Sequence, residues 1–444
     1  MSVVVTRFAP SPTGFLHAGN YRTAVFAYLF AKHTGGSFVL RIEDTDKERS
    51  KPEYEANILE SLAWLDLPAD RRYRQSDNTA RYRELLEKSV AAGIAYVSKE
   101  TPRNPGDREE VIRFKNPGGA VSFVDGIRGE ITMDVSDLGD FVIARSFDEP
   151  VFHFAVVVDD ADEGITHVIR GEDHIANTPR QILLQRALGF PLPAYAHLPL
   201  ILNPDRTKLS KRKGAKALTE YRDQGMLPEA MLNYLAFLGW NPGDEREYLS
   251  RKELIEAFDL TRIQKGSAIF DEIKLLSVNQ HWMRALSDED FAARGDFQTS
   301  DPGRLRSVVP LLKERAHTFQ EAREMLSGEL ACFFREPVLE HDKLTAKELP
   351  NCPDNMTKSA LEELLELVEA LPEGVSAGAV KDALMPRADA EEKKGKGGRG
   401  AILWPLRYAL SGQERSPDPF TLISILGPKE AVSRIQKAIA ILEG

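Results

Sequence analysis

A chain of 444 residues, with 42% hydrophobic and 28% charged residues, is composed like an ordinary folded protein and is too long for one typical domain, so two to four are expected. No apolar run approaches a membrane span, the opening MSVVVTRF lacks a signal-peptide pattern, and two cysteines, Cys332 and Cys352, support neither a disulfide framework nor a cysteine zinc site; a cytoplasmic protein with no membrane partner is expected. The net charge of −10 argues against generic nucleic-acid binding, but affinity follows local charge and a basic face stays open.

In chain order, residues 3–8 are β-branched and apolar and read as a strand. Residues 21–33 read as a helix stopped by Gly35 and Gly36, and residues 38–42 as the next strand, a βαβ-sized unit that predicts a parallel sheet with covering helices. From about Ala92 to Val151, strand-like pieces (VIRFK, AVSFVD, IRGEITMDV, DFVIARS) joined by polar turns predict an antiparallel β-rich segment that interrupts this pattern. The pattern resumes with a buried strand at GITHVIRG, a helix opened by Thr178 and Pro179 and followed by Gly189, and an apolar strand at HLPLIL.

From Thr219 onward the chain reads as almost wholly helical. A helix over 228–238 is closed by Gly239, and Ser250 with Glu253 and Ser359 with Glu362 have capping-box spacing. Val432, Ile435, Ile439 and Leu442 lie at helical spacing on a final helix. EEKKGKGGRG (391–400) has no apolar residue and reads as a mobile basic loop.

Two stretches carry chemistry. RFAPSPTGFLHAGNYRTA, from Arg7, takes a strand through a Pro/Gly turn into a helix. That geometry aims helix N–H groups at the carboxyl edge of the sheet, where phosphates and nucleotides bind. His17 and Asn20 share a face if the turn is helical and can then donate to phosphate oxygens; Gly14 and Gly19 leave room for a ligand near the backbone. Alternatively Asn20 is an N-cap and His17 a turn residue, and the stretch fits neither G-x-G-x-x-G nor Walker A. The second stretch, KLSKRKG (208–214), follows HLPLIL. Six basic residues (Arg206, Lys208, Lys211, Arg212, Lys213, Lys216) fall in eleven positions. Alone, such a run is a solvated turn; placed after a buried strand, it can clamp a triphosphate.

Arg7 and Arg170 sit at strand ends aimed at one sheet edge and suit bidentate carboxylate recognition, and Glu43 could answer an ammonium; alternatively the three pair with one another. The acidic run VVDDADEG (157–164) reads as a polar hairpin turn, because its spacing fits no calcium loop. Several of His153, His167, His174 and His197 are expected near the sheet edge, without metal-ligand spacing. Trp240, Trp282 and Trp404 are expected in cores or domain interfaces.

HAGN at a first turn with KLSKR after a later strand is the signature pair of class I aminoacyl-tRNA synthetases. With LRIEDTDKERS, FAVVVDDADEGITHVIRGEDHIANTPRQ and LNYLAFLGW, the chain resembles the bacterial glutamyl-tRNA synthetases of the glutamyl/glutaminyl group. The match is strong over about residues 3–50 and 140–285 and weaker to the C-terminus, where LWPLRYALSG also resembles the family. The resemblance implies an α/β protein: a Rossmann-type catalytic domain in two halves (1–88 and 152–205) split by a β-rich acceptor-end-binding insertion (89–151). An all-α remainder follows, with a stem-contact region carrying the KMSKS-type loop (206–290) and helical anticodon-binding subdomains (291–350 and 351–444).

It implies ATP-dependent ligation of L-glutamate to tRNA-Glu through a glutamyl-adenylate, by a monomer, with Mg2+ accompanying ATP and no zinc. His17, Asn20, Lys208 and Lys211 would be catalytic, Lys211 at the α-phosphate transition state with Lys208 assisting. Pro10, His17, Gly19, Asp173 and Lys211 would contact ATP. Arg7, Ala9, Ser11, Glu43, Phe152 and Arg170 would form the glutamate pocket, Arg170 reading the side-chain carboxylate. Phe152 departs from the tyrosine often found there, the segment after AYVSKE is short and free of cysteine, and the chain is somewhat short for the family. Charging of tRNA-Gln as well, with an amidotransferase partner, stays open.

Among rivals, glutaminyl-tRNA synthetase shares the catalytic fold but has a β-barrel C-terminal half. The glutamyl-queuosine paralogue lacks an anticodon region, and a generic nucleotidylyltransferase explains the first motif but not the helical tail. A non-catalytic RNA-binding paralogue tends to lose the phosphate-handling residues, and His17, Lys208 and Lys211 are present.

Overall fold

The computed structural model describes residues 3–101, 109–210, 214–299, 301–344, 354–393 and 398–443. The chain divides into two compact units, residues 1–282 and 283–444. No helix among the described residues is long and apolar enough to cross a membrane.

The strands are β1 (Val5–Phe8), β2 (Ser37–Ile42), β3 (Arg71–Arg74), β4 (Ala95–Lys99), β5 (Glu110–Phe114), β6 (Ala120–Asp125), β7 (Gly129–Asp134), β8 (Phe141–Ser146), β9 (Glu149–Pro150), β10 (His167–Gly171), β11 (Ala194–Leu198), β12 (Ile201–Leu202) and β13 (Ala268–Ile269). The helices that begin in residues 1–282 are α1 (Ala18–His33), α2 (Pro52–Trp64), α3 (Thr79–Ala91), α4 (Phe152–Asp162), α5 (Thr178–Leu188), α6 (Leu218–Asp223), α7 (Pro228–Ala236), α8 (Arg251–Ala257) and α9 (Glu272–Ala285).

The central sheet has the order β3-β2-β1-β10-β11-β6-β7, with β7 alone antiparallel to its neighbour. β1 and β2 are almost wholly buried because covering helices leave no wet face, which is why they read as continuous apolar runs. α1 buries Tyr21, Val25, Phe26 and Leu29 completely and is apolar on most sides for the same reason. β1 pairs with β2 on one side and β10 on the other, so the chain's winding reverses between them. The crevice at the carboxyl ends of β1 and β10 is where open α/β sheets hold their ligands.

Unit 2 is helical: α10 (Asp288–Gly295), α11 (Pro302–Arg315), α12 (Phe319–Ser327), α13 (His341–Leu344), α14 (Asp354–Glu369), α15 (Ala377–Lys393), α16 (Gly400–Ser411), α17 (Pro419–Leu426) and α18 (Pro428–Glu443). α18 buries Ala431, Ile435 and Ala438, while Val432 and Ile439 lie at the margin of that face.

Several local expectations change. The β-rich segment divides: β4, β5, β8 and β9 make their own antiparallel sheet, while the β6–β7 hairpin joins the central sheet through β11. HLPLIL breaks at Pro199, which supplies no ladder N–H, and Ile201–Leu202 pairs instead with β13. Ser250 does cap α8, its hydroxyl accepting from the Glu253 N–H while Glu253 accepts from the Ser250 N–H at 2.8 Å. Ser359, in contrast, lies inside α14 and starts nothing, since a capping-box spacing also arises by chance inside a polar helix face. The first residues of the basic 391–400 stretch extend α15, with Glu391 buried against Arg387 at 2.8 Å; residues 394–397 lie outside the described residues.

The largest correction is the acidic run. Asp159 and Asp160 lie within α4, 3% and 4% exposed, and form no surface turn. Arg7 and Arg41 project from β1 and β2 into the same buried layer and require counter-charges there. Arg41 lies 2.8 Å from Asp160 and 2.9 Å from Glu163, and Arg7 lies 3.2 Å from Asp160. Asp159 accepts from Tyr82 at 2.6 Å, Gln75 at 2.8 Å and Asn78 at 3.0 Å.

Candidate active site

A cavity of about 410 Å³ opens at the carboxyl ends of β1 and β10. Arg7, Ala9, Pro10, Ser11, His17, Gly19, Asn20, Glu43, Phe152, Arg170, Asp173 and Lys208 all line it. Each candidate residue named from the sequence therefore reaches one space, except Lys211, which lies outside the described residues.

The helix entry is built differently from the expectation of a shared helical face. His17 has extended backbone and is the N-cap of α1; its N–H donates to Asn20 Oδ1 at 3.1 Å, so Asn20 closes the cap from the third helical position. Ala18 and Gly19 still offer the orphan N–H groups of a helix start beside the cavity, while the Asn20 N–H donates to the His17 carbonyl at 2.9 Å. The approach at Gly19 is close: a Cβ would lie 3.0 Å from the His17 ring and 3.1 Å from Ile201. At Gly14 nothing lies within 4 Å, so that glycine clears no neighbour.

The two motifs meet through the backbone. His17 forms an isolated antiparallel bridge with Ala217, and Leu202 with Lys208, so the basic loop leaves and re-enters beside the first motif. Lys208 makes a half-exposed ion pair with Asp173 at 3.3 Å.

Arg7, Arg170 and Glu43 do not pair with one another. Arg7 is committed to Asp160, and Glu43 lies 3.3 Å from Arg41. Burial raises the Glu43 carboxyl to about 7, against the lowering pull of Arg41 and Arg7. Arg170, 6% exposed, has no carboxylate within ion-pair reach among the described residues. It donates to His197 Nε2 at 3.2 Å and to Thr178 Oγ1 at 2.8 Å, and its guanidinium stands 5.5 Å from the Tyr195 ring centre. Burial and the Arg7 charge lower Arg170 to about 10, so it stays cationic at neutral pH. His174, beside it on the cavity wall, is pushed down to about 4 by burial and the Arg170 charge and is neutral. Phe152 packs near the His153 and His174 rings.

Sequence reasoning missed Arg22 and Val156 in this wall, whereas His174, one of the histidines expected near the sheet edge, does line it. Arg22 carried a signal, a lone arginine inside an apolar helix; it is 3% exposed and donates to the carbonyls of Leu238 (3.2 Å) and Pro199. Val156 follows Phe152 by four residues on α4, a relation that appears once that segment is known to be helical.

A ligand here would meet a fixed guanidinium, a buried carboxylate and helix N–H groups, with Lys208 among the lining residues. Residues 3–110 and 102–277 match the family described as tRNA synthetases class I (E and Q), catalytic domain, and residues 277–439 match an anticodon binding domain. The chain belongs to the class I tRNA synthetases of the glutamate and glutamine group. It is 40% identical to the glutamate–tRNA ligase of Aquifex aeolicus over all of this chain and 99% of that protein. A crystal structure of a glutamate tRNA ligase from Elizabethkingia meningosepticum in complex with its amino acid superposes with a TM-score of 0.84 at 33% identity, covering 99% of both chains. Glutamate-tRNA synthetase from Elizabethkingia anophelis gives 0.80 at 32% identity, covering 98% of this chain and 99% of that one.

Proposed function

We propose that the chain is a glutamate–tRNA ligase that activates L-glutamate with ATP, Mg2+ arriving with the nucleotide, and transfers it to tRNA-Glu. The observation that carries this reading is Arg170, a buried cation that faces the cavity without a carboxylate partner among the described residues. Such a group favours an anionic ligand, because an unpaired buried charge is costly. Glutamine is nearly isosteric with glutamate and would leave the guanidinium facing a neutral amide. Arg170 therefore reads the side-chain carboxylate and Glu43 answers the ammonium. His17 and the N–H groups at the start of α1 receive the ATP phosphates, with Pro10, Gly19 and Asp173 around the nucleotide. Lys211, assisted by Lys208, stabilises charge on the α-phosphate as the carboxylate attacks. Lys208 must leave Asp173 to do so, which a half-exposed pair permits at little cost.

Arg170→Ala is expected to raise the Michaelis constant for glutamate strongly and to narrow the preference for glutamate over glutamine. The loss corresponds to about 2–5 kcal/mol for a buried charge-assisted contact. Steady-state charging of tRNA-Glu with each amino acid tests this, and an unchanged constant with an unchanged preference would refute the assignment. The same assay with purified tRNA-Gln separates an enzyme that discriminates from one that charges both and depends on an amidotransferase. The proposed enzyme holds no zinc, since residues 89–151 contain no cysteine; about one zinc per chain by elemental analysis would overturn that part.

A further inference from the structure

Arg170 is held by a chain of buried groups that begins in a different part of the sheet. Asp125 ends β6, and its Oδ1 accepts from the N–H groups of Ile127 (2.9 Å) and Arg128 (2.8 Å), closing the β6–β7 turn. Its Oδ2 accepts from the His197 backbone N–H at 3.0 Å and lies 2.6 Å from His197 Nδ1. The other ring nitrogen, Nε2, lies 3.2 Å from Arg170 Nε and 3.1 Å from Thr178 Oγ1. The Asp125 and His197 side chains are 0% exposed.

The donors and acceptors settle the tautomer. Arg170 Nε carries a hydrogen and has no lone pair to offer, so His197 Nε2 must accept. The ring hydrogen is then on Nδ1, where Asp125 takes it. An imidazolium, or the other neutral tautomer, would set N–H against N–H at Nε2. Asp125 remains ionised: burial alone would raise it, but the His197 hydrogen bond and the two turn N–H groups hold it below the usual carboxylate range. Arg128, in the same turn, pairs with Glu172, whose carboxylate accepts from the Leu200 N–H at 2.8 Å, so the turn grips the residues that follow both β10 and β11.

We propose that Asp125 and His197 are positioning residues for amino-acid recognition: Asp125 fixes the His197 tautomer, and His197 fixes the orientation of the Arg170 guanidinium toward the substrate carboxylate. This rests on the reading of Arg170 given above. With Nε and Nη2 held by His197 and Thr178, the guanidinium plane is set before substrate arrives, and Nη1 has no hydrogen-bond partner among the described residues. A pre-set fork loses less freedom on binding than a mobile one, which favours glutamate affinity and leaves ATP affinity untouched.

The test compares His197→Leu, His197→Gln and Asp125→Asn with wild type and Arg170→Ala, measuring Michaelis constants for glutamate and ATP separately. His197→Leu removes the acceptor and is expected to raise the glutamate constant about 10- to 100-fold with the ATP constant unchanged. His197→Gln can place an amide oxygen near the Nε2 position and should recover much of that loss. Asp125→Asn can present an N–H to Nδ1, which favours the wrong tautomer, and should resemble His197→Leu. If Arg170→Ala raises the glutamate constant while His197→Leu and Asp125→Asn do not, the positioning role is wrong. If Arg170→Ala itself has no effect, the functional reading fails instead. A parallel rise in both constants would mark a merely structural role and overturn the inference. Nitrogen-15 NMR of the histidines in wild-type protein reads the tautomer without any variant: an unprotonated Nε2 and protonated Nδ1 on His197 support the proposal, and a protonated Nε2 refutes it.

Discussion

Glu43 is an acid held near neutrality by its surroundings. Burial raises it to about 7, and Glu163, buried on the other side of Arg41, is likewise raised to about 7. If Glu43 answers the substrate ammonium, it must be ionised to do so. Below pH 7 it is protonated and that attraction is lost, so kcat/KM for glutamate should fall with acidification, approaching about tenfold per pH unit. Glu43→Gln should raise the glutamate Michaelis constant and flatten this acid limb. A limb unchanged in that variant would assign the ionisation to another group. Residues of this kind were legible in the sequence because Arg7, Arg170 and Glu43 stand at strand ends, and strand ends converge on one edge. Their partners were not. Asp160 and Asp125 are 153 and 72 residues from Arg7 and His197 respectively, and nothing local distinguishes a buried counter-ion from a solvated acid.

Among elements, the entry to α1 holds a tight arrangement. Gly19 occupies its first turn, where alanine would improve helix propensity by up to about 1 kcal/mol. The added Cβ would nevertheless meet the His17 ring at 3.0 Å and Ile201 at 3.1 Å, so one of them must shift by a few tenths of an ångström. Gly19→Ala is therefore expected to keep or slightly raise the melting temperature while slowing tRNA-dependent ATP–pyrophosphate exchange by about 10- to 100-fold, because positioning errors cost rate steeply. Wild-type exchange in that variant would mean that His17 needs no such placement. α4 shows the opposite case of legibility. Its acids suggested a turn, yet the charges of β1 and β2 draw that face inward and keep the segment helical.

For the whole molecule, the net charge of −10 and the basic run from Lys208 to Lys216 predict opposite responses to nucleic acid. Local charge governs, because each neutralised phosphate releases counterions to the solvent. The dissociation constant for tRNA is expected to rise steeply with salt, on the order of a thousandfold between 50 and 200 mM if about six phosphates are neutralised. A filter-binding or fluorescence titration that hardly responds to salt would contradict this.

The amino-acid sequence alone determined that β1, β2 and β10 are apolar strands, that the C-terminal half is helical, and which motifs stand at the sheet edge. Those features depend on short-range periodicity and on residue types whose chemistry is local. Tertiary structure decided what no window of neighbours contains. It sent the β6–β7 hairpin into the central sheet, turned an acidic run into a buried counter-charge for Arg7 and Arg41, and left Arg170 without a carboxylate partner among the described residues while His197 and Thr178 hold it. The physical reason is the same in each instance: the cost of burying a charge or an unpaired strand edge is met by groups far away in the chain, so its outcome appears when the sheet closes around them.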